Sequence, residues 1–219
     1  MKKSLQIKQL TLQLALLFLI GQTSQWAMQG HSIIAAMAER RLKANHPEAF
    51  AKITRMLAGV QSHFPETQFS LLEAAVMPDL LNFQFGGFEM KAHFINMPIV
   101  YAKDKEAEVN IPTPLESENV ITGLARAVAV IQRSLDPKYS PTIPRGFMDS
   151  IMLRYFLHLV GDIHQPLHTV AFFAKDLFDG KIKNGDQGGN LIPIQEIIGK
   201  GEPNLHSLSD SAFNSIEYG

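Results

Sequence analysis

Apolar residues crowd one stretch of the chain, Asp149 to Ile163, where Gly161 is the single Gly or Pro. A run of that length and character predicts a buried helix. Pro166 predicts its end, with His168 entering from an irregular segment that follows. Ser32 to Ala44 places Ile33, Ile34, Met37, Ala38 and Leu42 at helical spacing, a helix with one buried face. Pro47 can open a second helix to about Leu57. A third runs from about Ser70 and carries Met77-Pro78-Asp79-Leu80-Leu81 at its end. Glu118 to Leu135 reads as a long amphipathic helix, with Ser117 as N-cap and Asn119, Thr122 and Arg126 on its polar side. Asn204 to Asp210 opens a last helix.

The segments between are short or irregular. Asn82 to Phe88 is aromatic and Gly-rich, and reads as a loop. Lys91 to Pro98 is short and extended, and Ile99 to Pro114 reads as a surface loop. Asp136 to Pro144 is a proline-bounded connection, and Phe172 to Gly185 a loop of mixed charge. Asp186-Gln187-Gly188-Gly189-Asn190 reads as a tight turn, because paired glycines reach conformations closed to other residues. No repeat, low-complexity tract or second domain boundary interrupts the chain. Helices dominate, and the expected fold class is all-α.

Composition narrows this. The sequence has 219 residues, and its hydrophobic fraction of 46% is ample for a packed core. Net charge is -1 with no basic block, so no long electrostatic footprint for nucleic acid is advertised. Met1-Lys2-Lys3 and the apolar run Leu14 to Ile20 form a basic region and a hydrophobic region too short to span a bilayer. Residues 1–25 are therefore expected to be a signal peptide and 26–219 a single mature domain. Gln25 is a poor residue before a cleavage site, and an uncleaved signal anchor is the alternative. No later run is long and apolar enough to cross a membrane, so no stable anchor is expected after leader removal. The protein is expected outside the cytoplasm, secreted or periplasmic. There is no cysteine, so any zinc must be held by nitrogen and oxygen.

The candidate chemistry sits in the central stretch. His158 and Asp162 are four apart, on one helical face about one turn from each other. His168 follows, with His164 between. A carboxylate on an apolar helix is costly unless paired or bound to a metal. His206 and Asp210 repeat the four-residue spacing. His31, Asp79, His93, His158, Asp162, His168, His206 and Asp210 together offer five imidazoles and three carboxylates. That exceeds what one ion needs, so a cluster of two or three is implied. Such clusters suit phosphoester hydrolysis. His46 and His63 lie at loop edges and read as solvated.

Several motifs carry a resemblance. They are WAMQGH from Trp26, PD at Pro78, HFIN from His93, HLVGDIHQPLH from His158, DQGGN from Asp186 and NLHSLSD from Asn204. In this order the sequence resembles the zinc-dependent single-strand nuclease and 3′-nucleotidase family, the S-one/P-one nucleases with the plant bifunctional nucleases. The resemblance implies a mostly helical fold shared with bacterial zinc phospholipase C, built around a trinuclear zinc cluster. It assigns one zinc to Asp79, His93, His158 and Asp162. It assigns a second to His168, His206 and Asp210. A third falls to the α-amine and carbonyl of Trp26, with His31 and the bridging Asp162. An amine binds metal only as a chain terminus, so cleavage before Trp26 would unlock that site.

The implied reaction is attack of a zinc-bridging hydroxide on phosphorus, with Asp79 orienting or deprotonating that water. Single-stranded DNA, RNA and 3′-nucleotides are the implied substrates. Phe94 resembles the family's base-stacking aromatic, or is an ordinary core Phe. Asn96 stands where the best-known fungal members have a base-contacting Asp. Asn190 resembles a phosphate-side or nucleotide contact, or simply forms its turn.

Three departures stand out. Met77-Pro78-Asp79 with Asn82 replaces a Trp-Ala-Asp segment followed by a cation. Ser209 replaces a Trp before the last ligand. The family continues beyond that ligand, while this sequence stops at Gly219, so the C-terminal helices are expected to be missing. Two competing readings remain: a zinc phospholipase C, and a truncated zinc-binding relative without turnover.

Overall fold

The structure is a computed structural model. It describes residues 28–60, 70–84, 90–101, 103–104, 117–134, 145–174, 185–194 and 204–211. The architecture is helical. In chain order the helices are α1 (Met28–Asn45), α2 (Pro47–Leu57), α3 (Leu71–Gln84), α4 (Val120–Ser134), α5 (Arg145–Asp162), α6 (Pro166–Thr169) and α7 (Leu205–Asp210). Short 3-10 turns cover Ala58–Val60 and Met90–His93.

α5 is the axis of the fold. It packs against α1, α2, α3 and α4. Ile151, Tyr155 and Leu159 join Val60, Met77, Ala92 and Val120 in one core cluster. Leu153 joins Ala35, Leu57, Leu71, Ala74 and Ala75 in another. A helix with core on both sides must be apolar nearly all round, as this one is. Its polar exceptions are therefore informative. Arg154 is buried and donates to the Ser150 carbonyl and hydroxyl, while the Ser150 hydroxyl donates to Leu57 O at 2.6 Å. That relay ties α5 to the end of α2. Burial lowers the Arg154 pKa to about 10, opposed by Glu73, so the guanidinium keeps its charge at neutral pH. Close approach at the start of α5 depends on Gly59, whose added Cβ would stand 1.8 Å from Gly146 O.

A two-stranded parallel sheet joins the helices. β1 (Met97–Val100) pairs with β2 (Val170–Phe173), with Met97 opposite Val170 and Val100 opposite Phe173. This amends the all-α expectation in one detail. Ile99 and Val100 are strand rather than surface loop, and Phe172 and Phe173 likewise. Four-residue strands leave almost no periodic signal, and each is formed by a partner distant in sequence.

Other differences are local. α3 continues to Gln84, into the segment expected to be loop. α5 ends at Asp162, before Pro166, and Pro166 opens α6 instead of only stopping a helix. Proline suits the first turn, where its missing N–H costs nothing. Gln165 caps that turn by accepting from Leu167 N–H. In α1 the expected apolar face is shifted: Met37 is 68% exposed, while His31 and Ala35 are buried. The cap of α4 is Asn119 rather than Ser117. Its Oδ1 accepts from the Ile121 and Thr122 N–H groups, and the Asn119 N–H donates to Thr122 Oγ1 at 2.9 Å. No helix among the described residues is long and apolar enough to cross a membrane. Residues 1–27, with the expected leader and Trp26, and His63 lie outside the described residues.

Candidate metal centre

Eight of the donors singled out in the sequence meet at the C-terminal end of α5. His158 and Asp162 supply its buried face. His31 comes from the first turn of α1, and its ring stacks on His158 with centroids 3.8 Å apart. The approach requires Gly161, because a Cβ there would stand 2.6 Å from His31 Nδ1. Asp79 comes from α3, just after Pro78, which lies inside the helix. A proline lacks the N–H that would bond the carbonyl one turn back, which loosens the ladder around Ala74 and Ala75. The Ala75 carbonyl accepts from His158 Nδ1 at 2.6 Å. His93 ends the second 3-10 turn, His168 lies in α6, and His206 and Asp210 share one face of α7.

Backbone carbonyls fix the rings. His158 Nδ1 bonds Ala75 O, His206 Nδ1 bonds Gly188 O at 2.7 Å, and His168 Nδ1 bonds His93 O at 3.1 Å. In each case Nε2 is turned inward toward the carboxylates, the usual arrangement of a metal-ligating histidine. His158 Nε2 lies 3.2 Å from both Asp79 Oδ1 and Asp162 Oδ2. His93 Nδ1 lies 3.1 Å from Asp162 Oδ2, 3.6 Å from Asp79 Oδ1 and 3.0 Å from His158 Nε2. His31 Nε2 is 3.3 Å from Asp162 Oδ1. His168 Nε2 is 3.5 Å from Asp210 Oδ1, and His206 Nε2 is 3.3 Å from Asp210 Oδ2.

These separations decide what fits. Two donors on one tetrahedral zinc, each about 2.0–2.1 Å from it, stand about 3.3 Å apart. The donors here fall into three groups whose ligand atoms all lie within 4.8 Å of one another: His31, His158 and Asp162; Asp79, His93 and His158; His168, His206 and Asp210. Both Asp162 oxygens, Asp79 Oδ1, Asp210 Oδ2 and His168 Nε2 are buried and carry no hydrogen bond among the described residues. Buried polar atoms left in that state are costly, and a cation resolves the cost at all of them together. The donor set is nitrogen and oxygen only, which zinc accepts.

The electrostatics agree. Burial pushes the Asp162 pKa up, but His158, His168 and His31 hold it well below the usual carboxylate range. Burial opposes charge on His158, yet Asp162 and Asp79 raise its pKa well above the ordinary value. Burial likewise opposes charge on His168, and Asp162 and Asp210 lift its pKa to about 10. His31 is lowered, by burial and by His158 against its face. Without metal, the carboxylates thus draw protons onto His158 and His168, in the place where cations would otherwise stand.

A family model described as S1/P1 Nuclease matches residues 26–217. The chain belongs to the S1/P1 nuclease family. It is also similar to Endonuclease 2 of Arabidopsis thaliana, 25% identical over 221 aligned positions that cover 99% of this chain. The chain spans 64% of that relative's length.

In this S1/P1 family member, the substrate residues expected from sequence border the donor set along the chain. Phe94 and Asn96 follow His93 and are partly buried, and Phe94 O accepts from Val120 N–H at 3.0 Å. Asn190 is exposed, and its Nδ2 donates to Gln187 O at 2.8 Å within its own turn. His164 is exposed and bonds Val160 O, outside the donor groups. The side chain of Asn82 lies outside the described residues. Two supporting residues escaped the sequence reading. Gln165 is fully buried and donates from Nε2 to Asp210 Oδ1 at 2.7 Å, so it orients a carboxylate of the centre. Its signal was a polar residue just before Pro166. Gly161 is the other, and its signal was to be the single glycine between Asp149 and Ile163.

Proposed function

We propose that the chain is a secreted zinc-dependent phosphoesterase that hydrolyses single-stranded DNA, RNA and 3′-nucleotides. The observation that carries this is the convergence of His31, His93, His158 and His168 on one buried carboxylate, Asp162. A single bridging carboxylate ringed by four imidazoles suits several cations held a few ångströms apart. Membership in the S1/P1 nuclease family supports nucleic acid as the substrate, and so does the likeness to a plant endonuclease.

Asp79, His93, His158 and Asp162 would hold one zinc, and His168, His206 and Asp210 a second. His31 and Asp162 would hold a third with the terminal amine and carbonyl of Trp26. Such ions supply activated water near neutral pH and charge to offset phosphoryl oxygens. The chain's own groups do the rest. Asp79 is the most accessible carboxylate of the centre, with a side chain 15% exposed where Asp162 and Asp210 are sealed. Its carboxylate orients the attacking water and takes its proton. Gln165 and the backbone carbonyls keep Asp210 and the imidazoles in register, so little reorganisation is needed during attack. Phe94 gives a face on which any base can stack. Asn96 and Asn190 offer polar contacts to base and phosphate.

The test uses chains that begin at Trp26, beside chains that keep one further residue before it. The Trp26 form is expected to hold close to three zinc ions and to cut denatured DNA. The extended form is expected to lose one ion and most activity. Zinc binding with no cleavage of DNA, RNA or 3′-nucleotides would sink the catalytic reading. Release from phosphatidylcholine without cleavage of DNA would turn it toward a phospholipase C.

A further inference from the structure

Asp186 lies outside the donor set, yet it is buried. Its Oδ1 accepts from Phe172 N–H at 2.8 Å and from Gly188 N–H at 3.1 Å. Its own N–H donates to Phe172 O at 2.9 Å. One residue thus ties β2 to the turn over residues 185–190. Both ends of that tie lead to the metal centre. β2 begins two residues after His168. Gly188 O accepts from His206 Nδ1 at 2.7 Å. The rings of His168 and His206 lie parallel, 6° apart in plane, with centroids separated by 5.0 Å.

The turn is built for this contact. Gln187, Gly188 and Gly189 all have positive φ, of 55°, 63° and 85°. A Cβ on Gly188 would stand 2.2 Å from Leu167 O, so only glycine lets the turn close against the residue next to His168. The turn has bonds of its own, Leu191 N–H to Asp186 O at 3.0 Å and Asn190 Nδ2 to Gln187 O at 2.8 Å, and the Asp186 carboxylate adds the acceptor that ties it to β2.

We propose that Asp186 is a positioning residue that fixes the separation of His168 and His206, and with it the geometry of the cation site they share with Asp210. This rests on the zinc reading above for its consequence, though not for its geometry. Partners that orient a metal-bound histidine typically change metal affinity by about 10–100-fold when removed.

The experiment compares Asp186→Ala with Asp186→Asn. Asparagine keeps an Oδ1 that accepts both N–H bonds, while alanine keeps neither. Zinc content in zinc-buffered solution should show one site weakened by about 10–100-fold in the alanine variant. The remaining ions should stay bound as in wild type, and the asparagine variant should stay within a few-fold of wild type. Cobalt(II) absorption should shift for the same site in the alanine variant only. Nitrogen-15 spectra of the metal-free proteins add a readout that needs no zinc. His206 should be the Nδ1–H tautomer in wild type and Asp186→Asn, and a mixture in Asp186→Ala. Should the alanine chain not fold, Asp186→Ser shortens the acceptor's reach and should show a partial form of the same loss.

The proposal is overturned if Asp186→Ala matches wild type in zinc affinity and His206 tautomer. It is equally overturned if asparagine falls as far as alanine, since charge rather than acceptor geometry would then be responsible. A wild type that binds no zinc at all defeats the proposed function instead, and the His206 tautomer still judges the brace.

Discussion

His31 and His158 stack face to face, and that contact exists because residue 161 has no side chain. Gly161→Ala should therefore displace His31 and leave α5 intact, since alanine favours a helix over glycine by about 1 kcal/mol. The expected outcome is a protein that keeps its helical circular dichroism and loses the one ion His31 helps hold. Zinc per chain measures it, and a full complement in the variant would refute the role given to Gly161. The protonation of the imidazoles gives a second expectation. In the metal-free protein the His168 pKa is raised to about 10, burial being outweighed by Asp162 and Asp210. Its stabilising contribution is then fully present below the unfolded value of about 6.5 and is lost as pH rises through about 10. Asp162 is depressed, so its contribution is present above the ordinary carboxylate value and lost as pH falls through its folded pKa. Zinc binding must evict the protons from His158 and His168. At pH 7 calorimetry in buffers of different ionisation heat should detect at least one proton released, and affinity should climb from pH 6 to 8. Binding without proton release would mean those rings are neutral in the metal-free state.

At the scale of elements, α4 offers a change remote from the chemistry. Asn119 satisfies two N–H groups at its start and is itself satisfied by Thr122. Asn119→Ala should cost about 1 kcal/mol. For a chain of this size that lowers Tm by about 2–4 °C, with zinc content unchanged. An unaltered Tm would show that the cap contributes nothing. The same helix shows what was readable beforehand. Its apolar periodicity announced it, but its first residue was misplaced because Ser117 and Asn119 are both capping types and only packing chooses between them. α2 was legible to its ends because Pro47 opens it. β1 and β2 were not, since neither is a strand without the other. At the site, spacing on α5 and α7 exposed His158, Asp162, His206 and Asp210. His31, Asp79 and His93 stood in the same candidate set, but only the family resemblance assigned them to particular ions, because residues so far apart in sequence meet only through tertiary packing. Gln165 showed only as a polar residue before Pro166, and Asp186 only as the first residue of a Gly-Gly turn, because their roles are contacts made across the fold.

At the scale of the whole molecule, the centre draws donors from α1, α3, the Met90–His93 turn, α5, α6 and α7. The two-stranded sheet has a consequence in time. Parallel strands cannot be joined by a tight turn, and the crossover between β1 and β2 contains α4 and α5. His93 lies just before one strand and His168 just before the other, with Ile95 N–H donating to His168 O at 2.7 Å where they converge. Contacts of such long range close late, after local helices have formed and docked. Zinc should then be a late arrival during refolding. A zinc-sensitive dye should report uptake in step with the slowest phase, even when the metal is present from the first moment. Complete uptake in the fastest phase would instead make the ions a nucleus around which the helices gather.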